Sequence, residues 1–237
     1  MAKKINTNSN AYTLIYAAVL VVVVAFLLAF VNSSLYSRQS ENVKMDTKKQ
    51  ILAALHINKV EDVNAEYSRY VKADMLINAE GKLSEKVPDS EFSTSYEKEV
   101  KEKERLHVFV CTAQDGSTKY VIPVYGTGLW GPIWGYVALN ADKTSVYGVY
   151  FSHSGETPGL GAEITSDGFK KEFDGKKVLQ DGNVALNVVK YGKVQNKDYE
   201  VDGISGSTIT SVGVGAMLKD CLGHYIKFLT AKEEGDK

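Results

Sequence analysis

The chain has 237 residues, 44% of them hydrophobic, and a formal net charge of −1. That balance excludes a disordered tract and a polycation, and no basic stripe marks a nucleic-acid surface. The length suffices for a membrane anchor and one domain with a real core.

After a short tail at 1–11, the run Tyr12–Val31 carries no charge and is long enough to cross the hydrocarbon region of a bilayer. Its length favours a retained single-pass transmembrane helix over a cleaved signal peptide, for which Val31-Asn32-Ser33 would be the cleavage position. Lys3 and Lys4 precede the run, and Arg38, Lys44, Lys48 and Lys49 follow it. Charge therefore gives no preference for a cytoplasmic N-terminus.

The segment 32–104 reads as a linker and a helical N-terminal portion. A polar linker is expected over Asn32–Asp46. Helices are expected over Thr47–Ile57 and Glu61–Ala73, with apolar stripes at Ile51, Leu52 and Leu55 and at Val63, Tyr67, Tyr70 and Val71. Tyr96–Arg105 is charge-rich and reads as a solvated helix face or connector.

Strands follow. Leu106–Cys111 and Tyr120–Tyr125 flank an Asp115-Gly116 turn, and Gly135–Asn140 pairs with Ser145–Ser152 around 141–144. A short amphipathic helix is expected over Ile164–Phe173, then strands over Val184–Lys190 and Tyr199–Val201. In Ile209–Leu229, apolar residues recur at Val214, Met217, Leu218, Cys221, Leu222, Tyr225, Phe228 and Leu229, the stripe of a helix packed on a core. This order predicts an α+β domain over 105–230, mostly antiparallel sheet with flanking helices, and a C-terminal tail at 231–237.

Cys111 and Cys221 stand apart, without CxxC spacing. They read as small buried hydrophobes, with a disulfide as the alternative. His56, His107, His153 and His224 show no ligand spacing, so no metal is expected. There is no GxSxG elbow and no P-loop, and Gly126-Thr127-Gly128 lacks the third glycine of a dinucleotide fingerprint. Trp134 reads as a core residue.

Between the last strand and the last helix lies DGISGST, Asp202–Thr208. Its hydroxyls sit where free backbone N–H groups and the helix dipole favour an anion, usually a phosphate. A threonine there could bind a phosphate or be esterified to one. The glycines permit close approach of the backbone.

DGISGST resembles the acceptor motif D-G-x-(S/T)-G-A-T, at whose last threonine a flavin transferase joins FMN by a phosphoester. The register puts the acceptor at Thr208, with Asp202, Gly203, Ser205 and Gly206 matching and Ser207 in place of alanine. Gly155–Ile164, GETPGLGAEI, is similar to a second signature of the same flavin-binding domain, and Gly128–Tyr136, GLWGPIWGY, to a third. With the length and the N-terminal anchor, these segments resemble the NqrC family of the sodium-translocating NADH:quinone oxidoreductases, to which RnfG is related.

The resemblance implies a membrane-anchored electron-transfer subunit with FMN covalently attached to Thr208. Catalytic residues of its own are not expected, and activity requires the assembly. It implies partners in the other subunits, which pass electrons from NADH to ubiquinone and export sodium, and a flavin transferase for maturation. The N-terminus would lie inside, with the globular domain on the outer, periplasmic face of the plasma membrane. Ser205, Gly206 and Ser207 would form the phosphate turn, and Asp202 would order it. Glu156, Thr157, Gly159, Leu160 and Gly161 would form a backbone-lined flavin pocket, with Leu129 and Trp130 as further ring contacts. The competing readings are an RnfG-type subunit of a ferredoxin-linked complex, an anchored extracytoplasmic binding or scaffold domain in which SGST is an N-cap, and a standalone flavin reductase.

Overall fold

The computed structural model describes residues 7, 9–88, 92–93, 96 and 105–231. Most of the charge-rich stretch expected at Tyr96–Arg105, and nearly all of the tail at 231–237, therefore lie outside the described residues. The chain forms two units, Met1–Lys44 and Met45–Lys237.

The first long element is α1 (Asn10–Ala54), a helix of 45 residues whose apolar window is long enough to cross a membrane and is not buried in the protein. The polar stretch Asn32–Asp46, expected to be a linker, is helical instead. It contains no glycine and no proline, so nothing in its backbone chemistry ends the helix. Its last turns become core: Thr47, Gln50, Ile51, Leu52 and Ala54 are buried. Helix α2 (Val63–Tyr70) is capped by Asp62, whose carboxylate accepts from the N–H groups of Asn64 and Ala65. It stops short of the expected Ala73, because Val71 opens strand β1 (Val71–Ile77).

Strand β1 forms a hairpin with β2 (Leu83–Lys86), and neither strand was anticipated. With β3 (His107–Thr112), β4 (Thr118–Thr127), β5 (Pro132–Asn140) and β6 (Val146–His153) they make a six-stranded sheet in the order β2-β1-β3-β4-β5-β6. Every neighbouring pair is antiparallel, with Val121 opposite Ala138 and Ile122 opposite Val137 at its centre. Lys119 through Val124 are buried without interruption, as expected of a strand covered on both faces.

After β6 the expected single helix at Ile164–Phe173 is two pieces, a 3₁₀ turn (Gly161–Thr165) and α3 (Asp167–Lys171). Ser166 takes an extended conformation between them and its hydroxyl accepts from Phe169 N–H. Phe169 and Phe173 pack against Phe151 of β6, with ring centroids 6.2 and 5.2 Å away. Strands β7 (Leu179–Gln180) and β8 (Asn183–Val184) form a small hairpin, and β9 (Asn187–Val189) runs parallel to β10 (Glu200–Asp202). The strand expected over Val184–Lys190 is thus divided between β8 and β9.

Helix α4 (Thr208–His224) and the short α5 (Ile226–Thr230) close the chain, with the break at Tyr225. The Tyr225 hydroxyl donates to the His107 carbonyl at 3.0 Å, and Val214, Met217, Leu218, Cys221 and Leu222 of the apolar stripe are buried. Close approach to the sheet depends on missing side chains: a Cβ on Gly213 would stand 2.6 Å from the Thr127 carbonyl oxygen. The two cysteines are free and buried.

Candidate functional site

Three segments converge where α4 begins. The first is the turn after β10. Asp202 accepts from Gly192 N–H at 2.7 Å, so its carboxylate ties down the chain between β9 and β10. Gly206 has φ of 76°, a conformation that glycine adopts without strain. Ser207 N–H donates to the Ile204 carbonyl at 3.0 Å, and Ile204 N–H donates to Ser211 Oγ at 2.9 Å. Ser207 then occupies the N-cap position of α4 but makes no side-chain cap hydrogen bond. The N–H groups of the first turn are therefore available to an anion.

The two threonines of that turn differ sharply. Thr208 is exposed, whereas Thr210 is 1% exposed and donates its hydroxyl to Glu156 Oε2 at 2.6 Å.

The second segment is the loop Glu156–Gly161. Thr157 closes it by accepting from the N–H groups of Leu160 and Ala162, each at 3.1 Å. Glu156 is buried; its Oε1 accepts from Trp130 N–H at 2.8 Å and its own N–H donates to His153 Nδ1 at 3.1 Å. Two glycines make room for this carboxylate. A Cβ on Gly128 would lie 2.5 Å from Glu156 Oε1, and one on Gly161 would lie 2.7 Å from Thr210 Oγ1 and collide with Glu156 Oε2.

The third segment is the β4–β5 turn, closed by Gly128 N–H donating to the Gly131 carbonyl at 2.8 Å. It presents Leu129 and Trp130 to solvent, 48% and 68% exposed. Trp134, on β5, instead donates from Nε1 to Gln50 of α1 at 3.2 Å.

Between the segments lies a cavity of about 270 Å³, lined by Leu129, Glu156, Thr157, Leu160, Gly161, Gly206, Ser207, Thr208, Ile209 and Thr210. Eight of these are residues singled out from sequence. Asp202, Ser205, Gly159 and Trp130, also singled out, stand outside the lining, although Trp130 reaches it through its N–H bond to Glu156. Ile209 and Thr210 are the lining residues that sequence reasoning passed over. Ile209 carried a signal, being a large apolar residue off the buried stripe of its helix. Among the described residues no group of three His, Cys, Asp or Glu is placed to hold a metal ion.

An uncapped helix start, an apolar rim and a polar floor in one cavity suit an amphiphilic ligand with a phosphate at one end. FMN has that chemistry: the phosphate suits the first turn of α4, and the flat ring suits the apolar side chains.

Residues 128–223 match the family model described as the FMN-binding domain, a span that includes all three segments. That match defines a protein with an FMN-binding domain. The similarity extends well beyond that domain. The chain is 30% identical to the NqrC protein of the Na(+)-translocating NADH-quinone reductase of Haemophilus ducreyi, over 91% of each chain. It is 31% identical to the NqrC protein of Vibrio alginolyticus, over 88% of this chain and 89% of that one. The crystal structure of the corresponding protein from Parabacteroides distasonis superposes with a TM-score of 0.74 at 41% identity, covering 84% of this chain and 98% of that one. The Shewanella oneidensis NqrC structure superposes with a TM-score of 0.66 at 25% identity, covering 81% and 100%. The chain belongs to the NqrC family of Na(+)-translocating NADH-quinone reductase subunits.

Proposed function

We propose that the chain is a membrane-anchored electron-transfer subunit that holds FMN esterified through its phosphate to Thr208, within a sodium-pumping NADH:ubiquinone reductase. The observation that carries this reading is the exposed Thr208 at the uncapped start of α4, in the lining of the cavity, with the Thr210 hydroxyl bonded to Glu156.

The flavin, when bound, supplies reversible electron uptake and release. The protein's residues do the rest. Backbone N–H groups of the first turn of α4 would hold the phosphate, helped by the helix dipole. Gly206 keeps the turn narrow, and Leu129, Leu160 and Ile209 would offer apolar surface to the ring. Thr157 and Gly161 would supply backbone polar groups to hold it. Ser205 and Ser207 flank the acceptor, while Asp202 orders the chain leading to it.

The apolar part of α1 supports a single-pass membrane anchor, which would hold the domain beside its partners at high effective concentration. Family membership supports the remaining assignments: an inner-membrane location with the domain on the periplasmic face, the other subunits as partners, and a flavin transferase for maturation. NADH oxidation and ubiquinone reduction would then belong to other subunits, leaving this chain a relay with no turnover alone.

The test is co-production with a flavin transferase directed to the same compartment, followed by ultraviolet illumination of a denaturing gel. A fluorescent band that Thr208→Val abolishes is the expected result. A dark wild-type band, beside a fluorescent control substrate of the same transferase, rejects the covalent flavin.

A further inference from the structure

Glu156 is a buried carboxylate in the wall of the cavity, and it is bound on both oxygens. Oε1 accepts the Trp130 N–H from the β4–β5 turn, and Oε2 accepts the Thr210 hydroxyl from the first turn of α4. It therefore ties together the two segments that face each other across the cavity, from a third that contributes Leu160. Both partners are neutral dipoles. The cavity lining contains no Lys, Arg or His, and Glu156 has no ion pair among the described residues.

Such an arrangement is costly to keep for packing alone. A buried carboxylate without a cation is stabilised only by the dipoles aimed at it, and the low local polarisability that strengthens those bonds also lengthens the reach of its charge. Room for the group is made by the absence of a Cβ at both Gly128 and Gly161. The site thus places a fixed negative charge against whatever fills the cavity.

We infer that Glu156 is the positioning residue of the flavin site, locking the acceptor turn of α4 to the β4–β5 turn and, through its charge, holding the flavin's reduction potential down. The inference rests on the flavin reading above. Its electrostatic part follows from sign: adding electrons beside a fixed anion is disfavoured, and removing the charge favours the reduced form.

Two substitutions separate the lock from the charge. Glu156→Gln is nearly isosteric: its amide oxygen still accepts from Trp130 N–H, and its amide N–H₂ can donate to a Thr210 hydroxyl that has turned round. Glu156→Ala removes both. Full-length chains are co-produced with a flavin transferase, titrated spectroelectrochemically in detergent, and melted in the flavin-free form.

Glu156→Gln is expected to keep flavin on Thr208 and to raise the reduced-to-oxidised ratio at a fixed poise about tenfold, a shift of about 30 mV for two electrons. Glu156→Ala is expected to load flavin several-fold less completely and to melt lower when flavin-free. A fully loaded Glu156→Gln chain with the wild-type potential overturns the electrostatic role, which a merely structural residue would not have. A Glu156→Ala chain that loads and melts like wild type overturns the lock. A wild-type chain that takes no flavin overturns the flavin reading and this inference together, so the two failures are told apart.

Discussion

Thr208 and Thr210 stand two residues apart on the same helical turn, and of the two only Thr208 is exposed to solvent. The motif alone distinguishes them by register. Burial distinguishes them physically, because the Thr210 hydroxyl already serves as the donor that Glu156 Oε2 needs.

Substitutions at the two positions should therefore fail differently. Thr208→Val is expected to abolish covalent flavin while changing stability by no more than about 0.5 kcal/mol, as for an exposed residue with no special contact. Thr210→Val is expected to keep covalent flavin but lose about 1–3 kcal/mol, since a buried carboxylate oxygen is left without its donor. Gel fluorescence and urea unfolding of each variant measure the two effects separately.

Two glycines of α4 should respond in opposite directions to alanine. A Cβ at Gly213 would meet the Thr127 carbonyl, whereas one at Gly223 meets nothing within 4 Å. Gly223→Ala is expected to stabilise by about 0.5–1 kcal/mol through helix propensity. Gly213→Ala is expected to destabilise by about 1–3 kcal/mol, because α4 must move off β4 to admit the methyl group. Denaturant midpoints of the pair decide the matter; a stabilising Gly213→Ala would mean that the helix does not pack as described.

Neither cysteine should react in the folded chain. Burial, opposed by a hydrogen bond with Tyr125, pushes the Cys221 thiol up to about 11, and burial raises Cys111 as well. The reactive thiolate is thus scarce at pH 8. Iodoacetamide followed by mass measurement is expected to leave both thiols unmodified in the native protein and to label both in urea.

Asp142, in the β5–β6 turn, accepts from the N–H groups of Thr144 and Ser145 at 2.8 and 2.9 Å and from Ser145 Oγ at 2.7 Å. Partial burial works against its charge, but these bonds outweigh it and hold the carboxyl below its ordinary value. A depressed folded pKa stabilises the protein above the unfolded value, and the benefit disappears as pH falls through the folded one. Asp142→Asn is expected to lower the melting temperature at neutral pH, with the gap to wild type closing in strongly acidic solution.

Much of the sheet was legible because its chemistry is local. Val108 and Val121 lie in runs of strand-forming residues, and Asp115-Gly116 marks the reversal between β3 and β4. The buried stripe of α4 was equally plain, since it repeats at helical spacing. Val71 misled for the same reason: it continues the stripe of Val63, Tyr67 and Tyr70, and only its pairing with Cys111 places it in a strand. Polar residues between Asn32 and Asp46 suggested a linker, yet polarity does not break a helix when glycine and proline are absent.

Within the site, the motifs located the cavity but not its internal bonds. Glu156 and Thr210 lie 54 residues apart, and neither carries a local pattern that reveals the other. A lone acid in a glycine-rich loop looks like a surface residue until the fold buries it. The role of Gly128 was hidden for the same reason, because the group that occupies its missing side chain comes from another loop.

Beyond Met45, the large apolar side chains that remain exposed among the described residues are Leu129, Trp130, Leu160, Tyr191, Ile209 and Val212. Leu129, Leu160 and Ile209 line the cavity; Trp130 adjoins the first, and Val212 lies one turn beyond the last. The domain's adhesive surface is thus concentrated at the mouth of its own binding site. On the flavin reading proposed above, a chain with its cavity empty would carry that surface bare, exposed to chaperones, proteases and other copies, and filling the cavity would conceal part of it. Maturation and solubility would then be coupled by this placement, and a cell that fell behind in loading the site would see the shortfall first as aggregated or degraded protein.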